Sequence, residues 1–173
     1  AVSKGPGSYT GLRIGVSTIK GLAYATEKPV IAVDTLQAMA LGMKEKVKDK
    51  ADTKALFCPL IDARRMEVYS AVYNFDNEQI RSTMAEIVDN NSFQEFLTKN
   101  LVYFAGDALQ KCKEHLSRNK NTLYIENFLP SAQWMCKIAE QDFLNKNFVD
   151  TAYFEPFYLK DFVAGKPKIK GLK

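Results

Sequence analysis

From Ala55 onward the chain passes through three strand patterns with no helix between them and then alternates strictly, and few folds accept that order. Ala55–Asp62, Met66–Phe75 and Gln79–Val88 are rich in Val, Ile, Tyr and Phe and are joined by short turns, the second marked by the cluster Asn74–Asn77. Ser92 is placed to cap a short helix reaching Lys99. Leu101–Ala105 reads as a buried strand and Asp107 as the start of a helix through Leu116. Asn121–Ile125 is a further strand, and Ser131, just after Pro130, opens a long helix to about Asn145.

Strand-strand-strand-helix-strand-helix-strand-helix is the whole of a ribonuclease H-like unit, a mixed sheet covered by helices. The first fifty residues supply the second half of the same pattern. Ala1-Val2 reads as a strand end, and Gly5-Pro6-Gly7-Ser8 as a tight glycine loop. Ser8 and Thr10 are N-cap candidates for a helix from Thr10 to Thr26. Pro29–Val33 is a short strand, and Thr35 is placed to cap a helix to Val47. Lys44–Lys54 holds five lysines and three carboxylates, the composition of a solvated helix end and linker. The expectation is therefore an α/β, duplicated fold whose first unit is truncated at its N-terminus. Residues 1–50 would be the back half of the first unit, 51–54 a charged linker, 55–150 the second unit and 151–173 a tail. A complete pair of units needs three more strands and a helix in front, on the order of 50–60 residues.

At about 100° per residue, Leu12, Val16, Ile19 and Ala23 form one stripe of the first helix. Gly11, Gly15, Thr18 and Leu22 form a second, with Ile14 beside it, and Arg13, Ser17, Lys20 and Tyr24 make a polar arc. The apolar and small surface covers roughly 220°, well beyond the ~100° that one sheet requires. A glycine inside a helix costs about 1 kcal/mol against alanine, so Gly11, Gly15 and Gly21 imply close packing against a second body. That body is either a further helix of the first unit or a neighbouring subunit.

The chemistry available is thin. His115, the only histidine, lies in the polar helix segment Lys111–His115 and reads as a surface residue. Ser8 has no base near it in sequence. Cys58, Cys112 and Cys136 are scattered and odd in number, which argues against a disulfide framework; each is expected to be a small core residue. Asp62, Glu67 and Asp107 are too dispersed for a Mg²⁺ cluster and are expected to cap or to pair with Arg64 or Arg65. No metal site is expected. The glycine loop matches neither common phosphate fingerprint, because Thr10 stands where each needs another residue. Gly106-Asp107, after a strand, can be a helix cap or a vestigial nucleotide loop. The chain is 46% hydrophobic and 25% charged over 173 residues, with net charge +4, and no apolar run approaches the ~20 residues of a membrane span.

Four segments carry a family resemblance. They are Gly-Pro-Gly-Ser-Tyr-Thr-Gly-Leu-Arg-Ile-Gly at 5–15, Ile61–Tyr69 around Asp62, Arg64 and Arg65, Phe104–Ala108, and Glu155–Lys160. In this order they resemble the TsaB (YeaZ) family, with Met66 departing from the glycine usual in the second segment. The resemblance implies a bacterial, cytosolic protein of the actin-like ATPase superfamily. It implies a non-catalytic partner in making threonylcarbamoyladenosine on tRNA, working with the catalytic paralogue TsaD and the ATPase TsaE. It further implies a homodimer in isolation, indirect tRNA contact, no membrane, and no intrinsic cofactor, with ADP or ATP only at a partner interface. Gly11, Ile14, Gly15, Thr18 and Leu22 would then face the partner, and the older glycoprotease or peptidase M22 label finds little support in the residues. The alternative is a small-molecule kinase or ATPase of the same superfamily, which needs an acidic phosphate loop and bound Mg-ATP.

Overall fold

The structure is a computed structural model that describes residues 1–160. In chain order the elements are β1 (Val2–Gly5), α1 (Tyr9–Thr26), β2 (Ala32–Asp34), α2 (Thr35–Val47), β3 (Leu56–Asp62), β4 (Glu67–Tyr73), β5 (Gln79–Ile87), α3 (Gln94–Leu97), β6 (Val102–Ala105), α4 (Leu109–Leu116), β7 (Thr122–Tyr124), a 3₁₀ turn (Ala132–Met135) and α5 (Cys136–Leu144).

Two sheets form. β1 and β2 pair in parallel; the second sheet runs β5-β4-β3-β6-β7, antiparallel on the β5 side of β3 and parallel on the other. Val30–Val33 and Val68–Val72 thus belong to different sheets. β3 is a near-continuous apolar run because both of its faces are covered. Leu56, Cys58 and Leu60 face Phe93, Leu97 and Leu109 beneath α3 and α4. Phe57 and Ile61 face Leu36, Met39 and Met43 of α2. The last helical segment returns to the start of the chain: Trp134, Met135, Ile138 and Ala139 pack on Ile31, Val33 and Ala38. Gly42 lets this happen, since a Cβ there would lie 2.5 Å from the Trp134 ring.

Several boundaries differ from the sequence reading, each for a local reason. Asp34 caps α2, not Thr35; its extended backbone lets the carboxylate accept from the N–H of Leu36 and Gln37. Ser92 hydrogen-bonds to Asp89 in its own turn, and the left-handed Phe93 precedes an α3 of only four residues. α4 begins at Leu109, two residues after Asp107, whose carboxylate is taken by another group. Ser131 caps a 3₁₀ turn, and the α-helix starts only at Cys136. Val30 leaves β2 to bridge Val149. Cys58 and Cys112 are buried, and burial raises both thiols, Cys112 to about 11, whereas Cys136 is exposed and belongs to no core. Of the tail set at 151–173, residues 161–173 lie outside the described residues.

Candidate functional site

The four motif segments meet in pairs. Ser8 caps α1 by accepting from the N–H of Gly11 at 3.3 Å. Gly5, at φ 113°, has no room for a Cβ, which would sit 2.8 Å from the carbonyl of Phe157. The glycine is therefore dictated by the Glu155–Lys160 segment, which crosses the loop with its Phe157 N–H donating to the Lys4 carbonyl at 2.7 Å. Pro6 is buried and Gly7 stands clear, with nothing within 4 Å of a built Cβ.

The polar arc of α1 holds this crossing segment. Lys20 Nζ donates to the carbonyls of Ala152 and Phe154 at 3.1 and 3.2 Å. Arg13 donates to the Tyr158 hydroxyl at 3.3 Å, which raises the guanidinium pKa. The rings of Tyr9 and Tyr158 lie 4.7 Å apart. Val16 and Ala23 are buried and Leu12 and Ile19 half-buried, so the first apolar stripe packs inward as its spacing predicts. Among the described residues the other stripe meets nothing of weight. Ile14 and Leu22 are 64% and 56% exposed, Gly11 and Thr18 are exposed, and a Cβ on Gly15 would touch only Val2, at 3.9 Å. These five residues form a largely exposed face of small and apolar side chains.

The second and third segments join around Lys111. Its ammonium donates to Asp62 Oδ1 at 2.6 Å, to the Arg65 carbonyl at 3.0 Å and to the Glu67 carbonyl at 2.7 Å. The ammonium holds the Asp62 carboxyl below its ordinary range, helped by the Arg64 N–H at 2.7 Å. The Asp62 N–H in turn donates to Asp107 Oδ1 at 2.8 Å. Glu67 pairs with Lys160. Of the two expected roles, capping or pairing with Arg64 or Arg65, Asp62 takes the first, accepting the Arg64 N–H; no ion pair joins these acids to the Arg64 or Arg65 guanidinium among the described residues, and Lys111, Lys160 and a backbone N–H engage them. Gly106, at φ 127°, presses on β3, where a Cβ would lie 2.0 Å from the Leu60 carbonyl oxygen. Its place is explained by strand packing, and Asp107 ties down the hairpin. His115 Nδ1 lies 3.0 Å from the Asn90 side-chain oxygen. Among the described residues no three acidic, histidine or cysteine side chains converge as metal ligands, and no helix is long and apolar enough to cross a membrane.

Comparison with known proteins decides the relationship. A family model described as TsaD: tRNA N6-adenosine threonylcarbamoyltransferase matches residues 1–166. The chain is 37% identical over 176 residues to the Escherichia coli (strain K12) tRNA threonylcarbamoyladenosine biosynthesis protein TsaB, covering 96% of this chain and 72% of that protein. The chain belongs to the TsaB/YeaZ family. The Haemophilus influenzae protein of the same description is 28% identical, over 96% of this chain and 71% of its own length. A solved Pseudomonas aeruginosa structure, described as similar to peptidase YEAZ, superposes with a TM-score of 0.77 at 24% identity, covering 91% of this chain and 71% of that one. That likeness establishes the fold, and the TsaB/YeaZ chain is of the actin-like, ribonuclease H-like α/β type.

The residues that sequence reasoning missed in this TsaB/YeaZ chain are lysines. Lys111 acts 49 positions from Asp62 and Lys20 acts 132 positions from Ala152. No local spacing announces either, since both partnerships exist only after the strands have paired.

Proposed function

We propose that this chain serves tRNA threonylcarbamoyladenosine biosynthesis as a non-catalytic subunit that docks the catalytic paralogue TsaD. The bare face of α1 made by Gly11, Ile14, Gly15, Thr18 and Leu22 carries the reading. Glycines at 11 and 15 cost helix stability that nothing within the described chain returns, and they allow a second helix to approach closely. Family membership supports the pathway, since the relatives are named for it. Among the described residues no nucleophile–base pair is seen: Ser8 is occupied as a helix cap and the lone histidine faces Asn90.

Gly15→Leu tests the reading. Overpacking at a close helix contact costs about 1–3 kcal/mol, a loss of roughly 10- to 100-fold in affinity for TsaD. The same change improves helix propensity by roughly 0.8 kcal/mol, and its first carbon meets Val2 only at van der Waals distance, so the melting temperature stays close to the parent's. Val16→Ala, on the buried stripe, is the control: it lowers the melting temperature and spares association. An unfolded Gly15→Leu protein, or one that folds and binds TsaD as the parent does, removes α1 as the docking face.

A further inference from the structure

We propose that the β3–β4 turn is a rigid phosphate-binding finger through which this protein contacts RNA directly, with the Arg64 and Arg65 guanidiniums as its two anion contacts. The inference rests on the tRNA pathway given above and adds a surface to it.

Both arginines are exposed, in the short turn between β3 and β4. Neither guanidinium makes a hydrogen bond or ion pair among the described residues, although Asp62, Glu67 and Asp107 all lie at the base of the same turn. The reason is visible in the wiring. Asp62 is neutralised from below by Lys111 and accepts the Arg64 backbone N–H. Asp107 accepts the Asp62 N–H, and Glu67 is taken by Lys160. Each acid that might hold an arginine down is already committed inward. Arg64 acts on Asp62 only through longer-range attraction.

The turn is also fixed. Lys111 spends its donors on one side chain and two backbone carbonyls of the turn itself. The Ala63 N–H donates to the Glu67 carbonyl and the Glu67 N–H to the Arg64 carbonyl. Arg64 and Arg65 sit at φ 70° and 52°, where asparagine or glycine is the low-cost choice. Two free, always-charged, planar donors on a preorganised turn suit phosphate oxygens, which guanidinium binds in bidentate fashion. A net charge of +4 favours the approach of a polyanion. An acidic protein surface offers the same charge, and the experiment separates the two.

Binding of an unmodified, fluorescently labelled tRNA transcript to the full chain is followed by anisotropy between 50 and 300 mM KCl, about the range in which phosphate contacts dominate. Arg64→Gln/Arg65→Gln should weaken binding by at least about tenfold near 100 mM salt. The slope of log K against log salt should fall by about 1.4–1.8, the counterion share of two phosphates. Arg64→Lys/Arg65→Lys keeps the slope. Lys111→Met frees the Asp62 carboxylate to pair with Arg64, so it should lower both affinity and slope, by no more than the glutamine pair does; circular dichroism and the melting temperature of the glutamine pair, expected to match the parent's, distinguish contact from fold. Unchanged affinity and slope in the glutamine pair, or no tRNA binding by the parent at 50 mM salt, overturns the proposal. So does a glutamine pair that binds tRNA normally yet loses TsaD, which would assign the turn to a protein partner. Failure of the docking reading shows separately, as Gly15→Leu without effect on TsaD.

Discussion

Gly106→Ala should be among the most damaging single-methyl additions in the molecule. A Cβ built at this position lies 2.0 Å from the Leu60 carbonyl oxygen, 2.9 Å from its carbon and 3.1 Å from its nitrogen. All three are backbone atoms of β3, so no side chain can swing aside. To reach ordinary contact the end of β6 must retreat from β3 by roughly 1.5 Å, at the last rung of the parallel ladder, Pro59 opposite Ala105. The 3.4 Å bond from the Ala108 N–H to the Leu60 carbonyl is lost in the process. Alanine must also adopt φ 127°, which costs about 1–3 kcal/mol by itself. With about 1 kcal/mol for the lost hydrogen bond and about 1 for the disturbed ladder, the total is about 3–5 kcal/mol. At about 2–4 °C per kcal/mol the melting temperature should fall by roughly 6–20 °C. Urea and thermal unfolding followed by circular dichroism measure it. Gly7→Ala, with nothing within 4 Å of its Cβ, should stay within about 0.5 kcal/mol of the parent. If Gly106→Ala proves as benign as Gly7→Ala, strand packing is not what requires glycine at 106.

Two further outcomes follow from the lysines. In Lys111→Met the Asp62 carboxyl, now held low by that ammonium, should titrate nearer 3.9, about the unperturbed value, as read by carboxyl-carbon NMR. Because the folded Asp62 pKa lies below the unfolded one, its stabilising contribution is complete above the unfolded value and fades as pH falls through the folded one. The parent should therefore lose stability relative to Lys111→Met as the pH drops below about 4, and equal acid sensitivity would refute the pairing. In Lys20→Met the crossing segment loses its hold on two carbonyls, and chymotrypsin should cut at Tyr153 or Phe154 faster than in the parent; an unchanged digestion rate counts against it.

What the sequence showed and what it hid divide along the range of the interaction. The three successive strands, the alternation that follows and the inward stripe of α1 are local patterns of period two or 3.6, and the elements occur in the order they predict, with the starts of α3, α4 and α5 displaced. Asp34 and Thr35 are adjacent cap-type residues, and only the backbone angles at 34 decide between them. Proximity in sequence sets Asp62 beside its arginine neighbours. The pairing of β3 with β6 instead carries α4, and Lys111 with it, to the end of β3. The polar arc of α1 was legible as an arc; its use as a clamp on residues 152–158 required the tertiary fold.

The return of the last helical segment to the start of the chain has a consequence for synthesis. Ile31, Val33 and Ala38 emerge from the ribosome about 100 residues before Trp134, Met135, Ile138 and Ala139, which cover them. At about 5–20 residues per second that apolar surface waits roughly 5–20 s for its cover. The whole second sheet has time to form in the interval. The clamp of α1 on the crossing segment is the last part to become available, because Arg13 and Tyr158 lie 145 positions apart. A nascent chain stalled before residue 130 leaves Ile31, Val33 and Ala38 without the cover that Trp134, Met135, Ile138 and Ala139 give them.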